Sequence, residues 1–135
     1  MPPEQLIELS KLRFENAKKL LVTSQTLIDA NDYKSSANRS YYAIFNAMRA
    51  CLALNSIDHR RHSGVISDFR LHYIKTGKLD VKLSDIITEL FEMRNQSDYN
   101  DFYVVSKADV VAQLENAKFF IDKVALLLEG TVHAE

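Results

Sequence analysis

Only Gly64, Gly77 and Gly130 interrupt this 135-residue chain, and its two prolines sit at positions 2 and 3. Glycine and proline supply most tight turns, so a hairpin-rich fold is disfavoured for want of turn residues. Helix is the alternative, and the apolar residues recur with helical spacing. Ile7, Phe14, Leu21 and Ile28 repeat every seven residues, with Ser10, Ala17 and Ser24 between them. A seam of large and small side chains lets a second helix approach closely at a shallow angle. The spacing predicts a first helix from Pro3 or Glu4 to about Ala30. At about 1.5 Å per residue it spans roughly 40 Å. A compact chain of this length has a radius of gyration of about 14 Å, so the domain must be an elongated bundle.

Asp32 is placed to cap a second helix that runs to about Leu54 and buries Ala37, Tyr41, Ile44, Phe45, Met48 and Leu52. A loop from Ser56 to His62 follows. Ser63 is expected to cap a third helix ending at Gly77, a natural residue to follow a helix. Asp80 is expected to cap a fourth, with Leu83, Ile86, Ile87, Leu90 and Phe91 inward. A polar link from Gln96 to Val105 leads to the last helix, where Ser106 and Asp109 read as a capping pair. Its buried stripe is Val110, Leu114, Ala117, Ile121, Val124 and Leu128. No repeat and no second domain is visible. The expectation is one all-α domain over residues 1–135, a five-helix, mostly up-and-down bundle.

Composition narrows the function classes. No apolar run approaches the roughly 18 residues that a membrane-spanning helix needs. Met1-Pro2-Pro3-Glu4-Gln5 does not read as a secretory leader, and Cys51 is the single cysteine, so a cytoplasmic location is expected. No phosphate-binding glycine loop, dinucleotide turn or nucleophile elbow occurs. His59, His62, His72 and His133 are scattered without zinc spacing, so neither metal nor cofactor is expected. The net charge is only -1, yet it is unevenly spread. Residues 34–82 carry nine basic and three acidic groups, and residues 83–135 carry four basic and ten acidic. Such asymmetry either holds the two halves together or presents a basic face to a phosphate-rich partner.

Three polar intrusions stand out. Arg94 follows Leu83, Ile87 and Leu90 at spacings that put it on or beside the apolar stripe. An unpaired guanidinium cannot be buried without losing several kcal/mol of hydration. Asp98 lies one turn on, with Asn95 and Tyr99 alongside. The arrangement reads either as an ion pair closing the helix or as an arginine kept for a phosphate, whose oxygens suit its planar fork. For the second reading Arg94 should lie open where two subunits meet. On the second helix Arg39, Tyr42, Asn46 and Arg49 share one face. That face could be solvated surface, or a nucleotide or RNA groove with arginines on phosphates and Tyr42 on a base. The third intrusion is His59-Arg60-Arg61-His62, a basic loop able to bind anions if His62 starts a helix.

Three segments together resemble the HEPN domains, helical bundles named for higher eukaryotes and prokaryotes nucleotide-binding. They are Ala37-Asn38-Arg39-Ser40-Tyr41-Tyr42-Ala43-Ile44-Phe45, His62-Ser63-Gly64 and Met93-Arg94-Asn95-Gln96-Ser97-Asp98-Tyr99. The resemblance covers about residues 4–129 and implies a five-helix bundle that forms a homodimer. It also implies pairing with a minimal nucleotidyltransferase in a toxin–antitoxin arrangement. Catalytic members of the family are metal-independent RNA endonucleases whose motif is an arginine, a polar residue, a short spacer and a histidine. Arg94 and Asn95 match the first half. The histidine positions hold Tyr99, Asn100 and Asp101. Histidine exchanges protons near neutral pH, whereas an unperturbed tyrosine has a pKa of about 10.

The expected function is therefore RNA or nucleotide binding through Arg94, Asn95 and His62 together with Arg39, Tyr42, Asn46 and Arg49. The rival is RNA cleavage with Arg94, Asp98 and Tyr99 as the catalytic set, or with His62 entering from another helix. A third reading is a non-catalytic adaptor that docks a partner protein.

Overall fold

A computed structural model describes residues 3–131 and contains five helices: α1 (Glu4–Asp29), α2 (Tyr33–Ala53), α3 (His62–Phe69), α4 (Lys82–Tyr99) and α5 (Lys107–Glu129). No strand occurs among the described residues. Pro2 and His133 lie outside them. At about 1.5 Å per residue α1 is close to 39 Å long, as its sequence period requires.

α1 and α2 form an antiparallel hairpin across the three-residue turn Ala30-Asn31-Asp32. Asn31 supplies a left-handed backbone (φ 63°), and the Asp32 carboxylate accepts from the Ser35 amide at 3.3 Å. The small-residue seam of α1 is where the two helices touch. Ser24 Oγ lies 2.8 Å from Ser36 Oγ and 2.7 Å from Ser40 Oγ, and Ser10 Oγ donates to the Ala50 carbonyl at 2.7 Å. Each hydroxyl is small enough for close approach and has a partner, so the seam carries no unpaired polar group.

α2 is the central helix, packed against the other four. Its six predicted core residues are all buried, as are Ala43, Ala47, Ala50 and Cys51. α5 buries the predicted stripe together with Phe120. On α4, Leu83, Ile86, Ile87 and Leu90 are buried, while Phe91 is half-buried.

Several boundaries differ from the sequence expectation. α3 begins at His62 with no side-chain cap, one residue before Ser63. It then widens into a π-wound turn, Arg70–Ile74, before Gly77 takes a left-handed φ of 80°. The widening accompanies strong lateral ties. Arg70 Nε donates to Ser84 Oγ at 2.9 Å and Arg70 Nη2 to Thr88 Oγ1 at 2.7 Å, both on α4. Val81, not the expected Asp80, directly precedes α4 and gives it no side-chain cap; the Asp80 carboxylate, one residue earlier, accepts from the Lys82 amide at 2.9 Å. α4 continues through Gln96–Tyr99, where a polar link was expected, because Ser97 is buried and Asp98 meets Arg94 one turn back.

Candidate functional site

Arg94 sits where the last turn of α4 crosses the first half of α2. Its guanidinium donates from Nη1 to Asn95 Oδ1 at 3.0 Å and from Nη2 to the Tyr42 hydroxyl at 2.9 Å. Nε lies 3.0 Å from an Asp98 carboxylate oxygen but lacks the alignment of a hydrogen bond. The Asp98 carboxylate also accepts from Asn38 Nδ2 at 3.0 Å, which ties α4 to α2. Three aromatic rings surround the cation, with centroids 5.2 Å (Tyr42), 5.4 Å (Tyr99) and 5.7 Å (Tyr41) from Cζ. Contacts at this range to ring faces stabilise a cation more strongly as water is excluded.

The expected open guanidinium is not found. The Arg94 side chain is only 12% exposed. The reason is the extra helical turn through Tyr99, which brings Asp98 and the Tyr99 ring back over it. Tyr99 itself is 75% exposed, so its ring covers Arg94 from the solvent side. An arginine has five N–H groups, and two of these have aligned partners here. Of the other three, Nε–H faces Asp98 without hydrogen-bond alignment, and the two remaining Nη hydrogens have no aligned partner among the described residues.

His62 belongs to the same cluster. It starts α3, and its Nδ1 lies 2.8 Å from the hydroxyl of the fully buried Tyr41. Its ring stacks on Phe45 (centroids 4.4 Å) and on Tyr41 (5.5 Å), and stands edge-on to Tyr42 (5.6 Å). Burial, and then the charge of Arg94, lowers the His62 pKa. Burial raises the Tyr41 pKa, so that phenol stays protonated. His62 thus packs on the same two tyrosines, Tyr41 and Tyr42, that flank Arg94. The sequence left open whether His62 starts a helix and carried no sign of its place beside these tyrosines.

The four residues predicted to share one face of α2 separate. Arg39 lies near the site: with Lys34, Ser35, Asn38, Ser97 and Asp98 it lines a cavity of about 320 Å³. Tyr42 touches Arg94 directly. Asn46 spends its amide on the Tyr42 carbonyl of its own helix at 2.9 Å. Arg49, ten residues beyond Arg39, is bound to Asp58 at 2.8 Å and ties α2 to the α2–α3 loop. The same carboxylate takes Nη2 of the buried Arg13 at 3.2 Å. Arg13 escaped the sequence reading, although its place between Ser10 and Ala17 on the buried seam was a usable signal. In the basic loop, His59 pairs with Asp68 on α3. His59 also lies against Gly64, where an added Cβ would come within 2.8 Å of the imidazole Cγ. Among the described residues no three metal-ligating side chains converge, and no helix is long and apolar enough to cross a membrane.

Comparison with known proteins places this geometry in a family. The profile described as HEPN domain matches residues 10–128. A Methanocaldococcus jannaschii protein named "Putative toxin MJ0142" is 34% identical over 116 residues, covering 86% of this chain and 78% of that one. A Thermotoga maritima protein named only "UPF0332 protein" is 29% identical over 131 residues, 97% of both chains. A second M. jannaschii relative, "Putative toxin MJ0605", is 28% identical over 116 residues, 85% of each. With the match spanning nearly all of the bundle, this chain belongs to the HEPN domain family.

Proposed function

We propose that this protein is a toxin-like HEPN protein that binds RNA or nucleotide phosphate at the Arg94 cluster, as a homodimer paired with a minimal nucleotidyltransferase. One observation carries the reading. Arg94 is a nearly buried guanidinium with unspent N–H groups, covered from solvent by the exposed ring of Tyr99. A phosphate that displaces this ring gains a charge-assisted fork, and the ring remains available to stack on a base. Arg39 and the half-buried Lys34 border that cavity and extend the positive surface. Two relatives named as toxins favour a toxin-like role over a housekeeping one. Next to the site, Phe102 and Val104 are 94% and 88% exposed, an apolar surface suited to a second copy of the chain.

The test is fluorescence polarisation with a labelled single-stranded RNA and, separately, a mononucleotide. Wild-type protein should bind one or both, and Arg94→Ala should weaken binding by about tenfold or more, the worth of a charged hydrogen-bonding group. Equal binding by a folded Arg94→Ala variant would remove the assignment. Absence of binding by wild-type protein would leave the adaptor reading.

A second reading, metal-independent RNA cleavage, is favoured by His62 packing on the same tyrosines, Tyr41 and Tyr42, as Arg94. Asp98 is the weaker acid–base choice, because both Arg94 and Asn38 already engage its carboxylate. Cleavage in the presence of a chelator, leaving cyclic-phosphate ends and lost in Arg94→Ala, is the outcome that reading requires.

A further inference from the structure

The histidine in the cluster is held in a way that fixes what it can do. Tyr41 is completely buried, and among the described residues its hydroxyl has one hydrogen-bond partner, Nδ1 of His62. A protonated phenol with a single acceptor donates to it, so the neutral imidazole carries its proton on Nε2. Nε2 is therefore a donor, and the resting His62 is not a base at that atom. The ring cannot turn to exchange its nitrogens without breaking the Tyr41 bond and two stacking contacts, with Phe45 and Tyr41.

We infer that His62 is a second phosphate ligand of the Arg94 site and that the site takes up one proton as it takes up a phosphodiester. The inference rests on the reading of Arg94 as a phosphate site. Nε2–H donates to a phosphate oxygen, and the arriving negative charge stabilises the imidazolium. The added proton comes from solvent and lands on Nδ1. The Tyr41 hydroxyl then changes from donor to acceptor, a reversal that a phenol permits without moving its oxygen. No bond of the phosphodiester is made or broken.

The charges around His62 give this its direction. From α2 it meets Tyr41 and Tyr42, both able to accept or donate, with Phe45 as an apolar wall. From α4 it feels Arg94, whose charge opposes protonation, while Asp98 is engaged by that same arginine. No carboxylate lies within ion-pair distance of His62 among the described residues, unlike His59, which has Asp68. An anion between Arg94 and His62 removes the repulsion and supplies the missing counter-charge.

The experiment is titration calorimetry of the full chain with a 2′-O-methyl RNA hexamer, which offers phosphodiesters and cannot be cleaved through its sugar. Runs in two buffers of different ionisation heat count the protons exchanged. At about pH 6.5, near the ordinary histidine value, wild-type protein should take up roughly half a proton per RNA bound. Affinity should fall about three- to tenfold between about pH 5.5 and 7.5, the span over which a histidine titrates. Both effects should vanish in His62→Gln, shrink in Tyr41→Phe and persist in His59→Gln. RNA bound by wild-type protein without proton uptake, or with uptake that survives in His62→Gln, overturns the inference and leaves the Arg94 reading intact. No binding at any pH overturns both.

Discussion

Arg94 shows how one residue can satisfy two demands that conflict in most folds. Its side chain closes the bundle end by bonding Tyr42, Asn95 and Asp98, yet it keeps donors under a single exposed ring. Replacing Tyr99 by alanine should therefore uncover the cation and cost little stability, within about 0.5–1 kcal/mol for so exposed a side chain. The check is urea denaturation together with RNA titration, in which stability stays near wild type while the binding constant moves. His62 makes a separate prediction about pH. Its folded pKa is lowered, so above the unfolded value of about 6.5 the imidazole is neutral in both states and full stability is kept. As pH falls below that value the unfolded chain takes the proton first, and stability is lost until the folded value is reached. The difference in Tm between wild type and His62→Gln should accordingly shift against wild type from about pH 7 to 5, followed by calorimetry. Gly64→Ala tests the packing of the same loop. A Cβ 2.8 Å from the ring root of His59 must push the imidazole off Asp68, and about 1–2 kcal/mol should be lost in chemical denaturation.

At the scale of elements, the α1–α2 hairpin is the frame on which the site is built. Its seam of serines tolerates no added bulk, because Ser24 stands within hydrogen-bond distance of two further hydroxyls. Ser24→Val should leave Ser36 and Ser40 without that partner and force the helices apart, at a cost of about 2–3 kcal/mol, read from the urea midpoint. These helices were legible in the sequence for a physical reason. Long amphipathic segments carry their period in many residues at once, so every predicted core position of α2 and α5 is buried. The ends were less legible, since a helix end depends on few residues and often on distant ones. Gln96–Tyr99 is polar and reads as a link, but Asn38 and Arg94 draw Asp98 into a last turn of helix. The π-wound end of α3 likewise comes with Arg70 reaching Ser84 and Thr88, contacts invisible along the chain. The site followed the same rule. Arg94 announced itself by breaking an apolar stripe, and its pairing with Asp98 was one turn away. His62 and Tyr41 meet across 21 positions, and no local pattern encodes that distance.

Across the whole molecule, the uneven charge of the sequence is not cancelled by direct pairing. Among the described residues the ion pairs are Arg13–Asp58, Lys18–Glu15, Arg49–Asp58, His59–Asp68, Arg94–Asp98 and Lys118–Glu115. None joins a basic group of residues 34–82 to an acid of residues 83–135 at ion-pair distance. Among the described residues Lys34, Arg39, Arg60 and Arg61 form no ion pair, and on the proposed function these are the groups that would meet phosphates. RNA binding should then weaken with salt, with a logarithmic slope near two to three for about three or four phosphates neutralised on a single strand. The measurement closest to the central claim watches Arg94 itself. In a ¹⁵N-labelled protein the Nε–Hε resonance of Arg94, assigned through its loss in Arg94→Lys, is followed as single-stranded RNA is added. A phosphate held by this guanidinium predicts a saturating shift of that resonance, at the same RNA concentrations that perturb Tyr42 and Tyr99. RNA that binds while the Arg94 resonance stays where it was would contradict the account.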